Sequence, residues 1–327
     1  MKKILLLLLS FLCINLYAQN LVDTLLHNKN VVLEEFTGLH CVYCPDGHVI
    51  AQSIYNAYPQ RVSLINVHVG SYAQPSFGEP DFRTVFGSSL SAQSNLSGYP
   101  AGTVNRHLFF NLSQSNGTAM SRSNWQQATI ITLSELSPVN IASVAQYDTI
   151  TNELLIDVEI YYTDTQSVTQ NYLNVAITQD SVLGPQTGAQ TFNSAAIVPG
   201  PWSPTYSHQH MLRHLVTGQW GAVLDPITPG TFISRRYRWP VPSDINDIPV
   251  IVKDLTVVCF VTEQSQEILT GTETPVTILP QPVSSIYEIT PTRNDGIIYD
   301  ILGRTINDLS ILSPGAMYIK NGKKYIK

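Results

Sequence analysis

The sequence predicts an α/β domain over residues 22–138, an all-β sandwich over 139–280 and a small β module over 284–327. Three observations carry that expectation. In the first stretch, short aliphatic runs alternate with apolar residues at helical spacing. In the second, strand-like segments are separated by turns rich in Asp, Thr, Asn, Gly and Pro. In the third, short alternating segments are broken by Gly303, Pro314-Gly315 and Asn321-Gly322.

An export signal precedes these elements. Met1-Lys2-Lys3 is positive, Ile4 to Leu12 is almost unbroken aliphatic, and a more polar stretch closes at Tyr17-Ala18 before Gln19. That order marks residues 1–18 as a cleavable signal peptide. Its apolar run is far shorter than the roughly 20 residues needed to span a bilayer. Leu12 is too large for a good lipoprotein cleavage box, so Cys13 is expected to leave with the signal. No other stretch is apolar enough to cross as a helix, so no transmembrane segment is expected and the mature chain is read as soluble or surface-held. Charged residues are only 13% of the 327 and the formal net charge is −6, which argues against general nucleic-acid binding.

In the first domain, Val31 to Phe36 reads as a strand ending at Thr37-Gly38. Pro45 suits the first turn of a helix, and Ile50, Ala51, Ile54, Ala57 and Tyr58 recur at helical spacing until Pro59. Arg61 to Val69 is a second strand. The result is β-α-β with Cys41-Val42-Tyr43-Cys44 at the strand-to-helix turn. Free N–H groups and the macrodipole there favour a thiolate at Cys41, and Cys44 lies within reach to close a disulfide. In this context the pair reads as redox-capable. Two other readings stay open: a purely structural disulfide, and a zinc site using His40, Cys41, Cys44 and His48. The zinc reading is the minor one, so no metal and no cofactor are assigned. Haem attachment is excluded because Pro45 stands where the histidine is required. Between Gly70 and Gly98, one helix is expected near Asp81 to Ser88, within a segment able to form a lip over the site.

This arrangement resembles thioredoxin, and the resemblance implies roles. Glu35, six residues before Cys41, stands where thioredoxin-like proteins place a buried acid that relays the proton of the resolving cysteine. The plainer reading is that Glu34 and Glu35 point to opposite faces, with one in solvent. Gly98-Tyr99-Pro100-Ala101-Gly102-Thr103-Val104 resembles the cis-proline turn facing the dithiol, so Pro100 is expected cis with the Tyr99 backbone presented to substrate. His40 replaces the usual tryptophan before the first cysteine and is expected to touch substrate, and Val-Tyr replaces Gly-Pro between the cysteines. The stretch from Glu34-Glu35-Phe36-Thr37-Gly38 through Cys44-Pro45 to Tyr99-Pro100-Ala101-Gly102 is similar to the Omp28-related outer membrane protein family.

Ser123 or Asn124 is placed to cap a helix from Trp125 to Leu136, ended by Pro138. Ile141–Tyr147, Leu154–Tyr162, Tyr172–Thr178, Thr231–Trp239, Ile251–Val261 and Ile268–Ile278 then read as strands, and about seven in all suggest an immunoglobulin-like sandwich. His208, His210 and His214 crowd one segment. His208 and His210 on one strand face form a candidate metal pair, against the plainer reading of a polar edge or interdomain contact. Cys259, in an apolar strand, reads as core. No phosphate-binding Gly loop, nucleophile elbow or His-Glu-x-x-His motif is present.

At the C terminus, Tyr299-Asp300-x-x-Gly303-Arg304, Pro314-Gly315-x-x-Tyr318 and Gly322-Lys323-Lys324 resemble the sorting domain of type IX secretion cargo. That resemblance implies passage through the outer membrane by the type IX machinery, then removal of the module with the protein secreted or anchored at the outer membrane surface. The expected activity is thiol–disulfide exchange on extracytoplasmic thiol or disulfide proteins. The alternative is a non-catalytic surface binding or adhesion protein in which Cys41–Cys44 only stabilises the fold.

Overall fold

The aliphatic run Val31–Thr37 forms β1, buried at every position. This computed structural model describes residues 20–279, 297–320 and 323–327. The expected signal peptide and the opening of the sorting module therefore lie outside the described residues. The chain divides into one unit ending at Leu279 and a second beginning at Pro280.

In the first unit, β1 is followed by α1 (Cys44–Ala57) and β2 (Val62–His68). β1 and β2 pair in parallel, and both are buried throughout, as a strand covered on two faces must be. Next come α2 (Gly87–Gln93), β3 (Ala101–Val104), β4 (Met120–Ser121) and α3 (Trp125–Ser134). The helix expected at Asp81 to Ser88 is displaced to α2. The Asp81 carboxylate accepts from the Arg83 N–H at 3.1 Å and from its guanidinium at 2.8 Å and 2.6 Å. That local turn holds the backbone out of a helix until Gly87.

The β-rich stretch contributes β5 (Val139–Asp148), β6 (Glu153–Tyr162), β7 (Asn171–Gln179) and β8 (Val182–Pro185). A short α4 (Ala189–Phe192) precedes β9 (Thr205–His208), β10 (Met211–Leu215), β11 (Ala222–Leu224) and β12 (Phe232–Pro240). A small hairpin pairs β13 (Asp244–Ile245) with β14 (Ile248–Pro249), and β15 (Leu255–Glu263), β16 (Ile268–Pro275) and β17 (Thr277–Ile278) complete the unit. The strand expected from Ile251 starts only at Leu255, because Val252–Asp254 is a 3-10 turn.

The strands of the two stretches share one sheet. Its order is β16-β15-β7-β10-β2-β1-β3-β4, with β11 also on β7. The join is a parallel rung between Met211 of β10 and Asn66 of β2. A second sheet, β12-β6-β5-β17, packs on this one. β6 shows why: its residues alternate between buried and partly exposed, so one face is apolar. Ile156, Val158 and Ile160 lie in one cluster with Val175, Ile177, Val257 and Cys259. Cys259 is a free, fully buried thiol, raised by burial to a pKa of about 12. It is core, as its apolar strand suggested.

The second unit is an antiparallel four-stranded sheet, with β18 (Ile298–Asp300), β19 (Thr305–Ile306), β20 (Met317–Lys320) and β21 (Lys323–Ile326) in the order β19-β18-β20-β21.

Candidate functional site

β1 hands the chain to α1 through the turn that carries the cysteines. Cys41 and Cys44 form a disulfide with Cα atoms 5.4 Å apart. Cys44 is the first residue of α1, with Pro45 in its first turn, where the missing N–H of proline costs nothing. Cys41 is 3% exposed and Cys44 is wholly buried.

Glu35 is also wholly buried, and neither carboxylate oxygen has a hydrogen-bond partner. Desolvation pushes its carboxyl well above the usual carboxylate range, an effect opposed by the charge of Arg122. Glu35, α1 and Pro100 approach closely because residue 47 is glycine. A Cβ there would lie 2.6 Å from Glu35 Oε1 and 3.1 Å from the Pro100 ring. The Tyr99–Pro100 peptide is cis, and the Tyr99 hydroxyl donates to the Val69 carbonyl at 3.0 Å. His40 Nε2 lies 3.0 Å from Glu79 Oε2, so this side chain turns to the 70–98 segment.

The two acids of β1 do point to opposite faces, but neither meets solvent. Glu34 is 2% exposed and accepts two bonds from Arg106, at 2.7 Å and 2.6 Å. Alternation gave the faces correctly. It could not reveal that both are covered.

A segment from the second half crosses the cysteine turn. Gln186, 1% exposed, donates from its side-chain amide to the carbonyls of Gly38 at 3.2 Å and Cys41 at 3.1 Å. The Thr187 N–H donates to Leu39 O at 2.8 Å. Gly188 has φ +79°, and a Cβ there would lie 2.0 Å from the Val42 carbonyl oxygen. The Phe192 ring meets Tyr43 at 5.3 Å. Gln186–Phe192 is thus a strap over the disulfide. Nothing in the cysteine motif announced it; only the turn-forming Gly188 hinted at a close approach.

The histidines separate into different settings. His48 Nε2 bonds Thr37 Oγ1 at 3.0 Å, and its Nδ1 bonds the Tyr206 hydroxyl at 2.9 Å. Glu35 Oε1 lies 3.8 Å from the same Nε2. Burial lowers His48 to a pKa of about 4 and His68 to about 3, and holds His208 well below its usual value. His68 and His208 meet at 5.2 Å, with no hydrogen-bond partner on any of their ring nitrogens. His208 and His210 do not share a face, because His210 has φ +51° and turns the chain between β9 and β10. His210 bonds Gln52 at 3.1 Å, while His214 stacks on Trp239 at 5.7 Å. Among the described residues no group of three His, Cys, Asp or Glu converges as a metal site. The four residues of the zinc reading are otherwise engaged in this structure: both sulfurs form the disulfide, His40 faces Glu79, and His48 bonds Thr37 and Tyr206.

A family model for outer membrane protein Omp28 matches residues 88–276. The chain belongs to the Omp28 family. The match includes Tyr99–Gly102 but not the stretch from Glu34 to Pro45, so the Omp28 signature lies mostly in the strands that follow the cysteine turn. Membership supports association with the outer membrane or cell surface. Among the described residues no helix is long and apolar enough to cross a membrane, which says nothing about crossing by strands. No curated protein matches the chain. Among solved structures, HBP35 of Porphyromonas gingivalis aligns with a TM-score of 0.59 at 17% identity, over 92% of this chain and 98% of that one, a likeness of fold. A protein of Agrobacterium tumefaciens gives a TM-score of 0.46 at 11% identity over 76% of this chain and 94% of its own. A domain of the outer membrane lipoprotein Omp28 of Porphyromonas gingivalis gives 0.28 at 15% over 44% and 92%.

Proposed function

We propose that this Omp28-family protein performs thiol–disulfide exchange on extracytoplasmic proteins through a thioredoxin-like site. The observation that carries the reading is a wholly buried, unpartnered Glu35 packed at Gly47 against the helix that begins at Cys44, with the Pro100 ring against the same glycine. A substrate thiolate attacks Cys41 Sγ and forms a mixed disulfide. The Cys41–Cys44 bond breaks, and Cys44 leaves as a thiolate that takes the Glu35 proton. A second thiolate attacks the substrate sulfur, releasing the substrate as a disulfide and Cys41 as a thiolate. The Tyr99 backbone and His40 flank the approach and contact the substrate chain.

The second reading is a surface binding protein with a structural disulfide, and the strap favours it, since it leaves Cys41 only 3% exposed. The reduction potential of the Cys41/Cys44 couple separates the two. A value in the exchange range, roughly −270 to −120 mV, supports exchange; one below about −300 mV supports the structural reading.

For delivery, we read residues 284–327, within the second unit, as the type IX sorting module and residues 1–18 as the signal peptide. Intact mass of protein recovered from the cell surface or medium is the test. Retention of residues 1–18, or of Lys327 in anchored material, contradicts this route.

A further inference from the structure

We propose that His48, held by Tyr206, is the route by which protons pass between solvent and Glu35. The inference rests on the exchange reading and extends it to residues outside the cysteine turn.

The need for a route follows from burial. Glu35 makes no hydrogen bond, yet each exchange cycle takes a proton from its carboxyl and must return one. His48 stands within ion-pair range of that carboxyl, with Nε2 3.8 Å from Glu35 Oε1. That distance exceeds a hydrogen bond. In the resting oxidised state Nε2 instead bonds Thr37 Oγ1 at 3.0 Å. Glu35 and Thr37 are two apart on β1 and so share a face. A small swing of the imidazole exchanges one oxygen for the other.

The far side of the ring is already connected. His48 Nδ1 bonds the Tyr206 hydroxyl at 2.9 Å, which accepts from the Asn193 amide at 2.7 Å. His48, Tyr206 and Asn193 line a cavity of about 390 Å³ whose rim includes the exposed residues Val49 and Ser53. Water therefore reaches the outer end of the chain of groups while Glu35 stays dry. The ionisable groups facing His48 are Glu35 from β1, Tyr206 and His208 from β9, His210 from the following turn and His68 from β2. Burial and the neighbouring imidazoles keep His48 neutral. A neutral ring can take a proton at one nitrogen as it gives one from the other.

The step balances as follows. When the substrate thiolate attacks Cys41, the electron pair of the broken S–S bond goes to Cys44 Sγ. Glu35 gives its proton to that sulfur and becomes a carboxylate. His48 Nε2 gives a proton to Glu35 as Nδ1 accepts one through the Tyr206 hydroxyl from water in the cavity. One proton is taken from solvent for each mixed disulfide formed.

Three measurements on the full chain test this. First, His48→Ala should slow exchange at neutral pH about ten-fold or more, the lower end of general acid–base contributions. Added imidazole, entering the cavity, should restore the rate in proportion to its neutral fraction. Second, Tyr206→Phe keeps the ring and removes only the hydroxyl, so it should slow exchange in the same direction by less. Third, and independent of turnover, the carboxylic C=O infrared band of Glu35, assigned by its loss in Glu35→Gln, should shift promptly in D2O in the wild type and slowly in both variants. An unchanged deuteration rate in both variants overturns the route even if no exchange activity is found. Slowing in His48→Ala that imidazole does not restore, with Tyr206→Phe at the wild-type rate, also overturns it. A wild type that deuterates as expected but exchanges no faster than a free dithiol overturns the exchange reading and leaves the route standing.

Discussion

Glu34 and Arg106 form a two-pronged ion pair inside the protein, at 2.6 Å and 2.7 Å, with each side chain 2% exposed. Removing one partner of such a pair leaves an uncompensated charge out of water. Glu34→Gln should therefore destabilise the fold by about 3–5 kcal/mol, read as a lower urea midpoint at unchanged slope. Replacing both residues with apolar side chains of similar volume should cost far less. A Glu34→Gln variant within about 1 kcal/mol of wild type would show that the pair carries little.

The neighbouring acid should behave differently. Glu35→Gln removes a carboxyl that makes no hydrogen bond, so stability should hold while exchange slows about ten-fold or more. Glu34 is no control for this experiment, since its loss disturbs the same strand. Glu153, on β6 and paired with Arg238 at 2.9 Å, is a suitable remote one. Equal rates in Glu35→Gln and wild type would rule out the proton relay.

Acid should unfold this protein through its buried imidazoles. His48 and His68 are lowered to about 4 and about 3 in the folded state, against about 6.5 when unfolded. Below 6.5 the unfolded chain binds protons that the folded chain refuses. The stabilisation is present above that pH and is lost as pH falls towards the folded values. Each histidine contributes up to about 1.4 kcal/mol per pH unit. His68→Phe should flatten the fall in urea midpoint between pH 6 and pH 4 by about one proton. Glu35 works in the opposite direction: its raised value favours the fold below the ordinary carboxyl range and is lost as pH rises. A His68→Phe variant with the wild-type slope would contradict the assignment.

The strap predicts slow access to the disulfide. Gly188→Ala places a side chain against the Val42 carbonyl at a positive φ, a strain of roughly 1–2 kcal/mol. Reduction by a small thiol, followed by alkylation and peptide mass, should quicken about ten-fold, with Cys41 labelled before Cys44. Cys259, buried in the core shared by the two sheets, is the internal gauge and must stay unlabelled. Unchanged reduction would mean the strap is no barrier, whereas labelling of Cys259 would mean that the whole fold had opened.

Much of the cysteine turn was legible because its signals are local. Pro45 starts a helix, the aliphatic runs give β1 and β2, and Tyr99-Pro100 follows a recognisable pattern. What could not be read is long-range. Gln186 meets Cys41 across the fold with only a glycine nearby to suggest it. β9 and β10 carry Tyr206, His208, Arg213 and His214 and lack the aliphatic alternation of a strand, yet they are largely buried. His48 looked like a spare ligand beside the cysteines. Its partner Tyr206 lies 158 residues on, a separation at which spacing carries no information.

The rung between Met211 and Asn66 bears on how the chain can be cut. A fragment stopping at residue 138 would keep the cysteine turn but lose the neighbour of β2, leaving a strand buried at every position as an edge, with the Asn66 N–H deprived of its His210 carbonyl. Such an edge recruits other strands and aggregates. The same rung is a very non-local pairing, and folds dominated by those assemble slowly. The cover of the disulfide comes from equally far along the chain, with Gln186 145 residues past Cys41, so a chain cut before it would carry the cysteine turn uncovered.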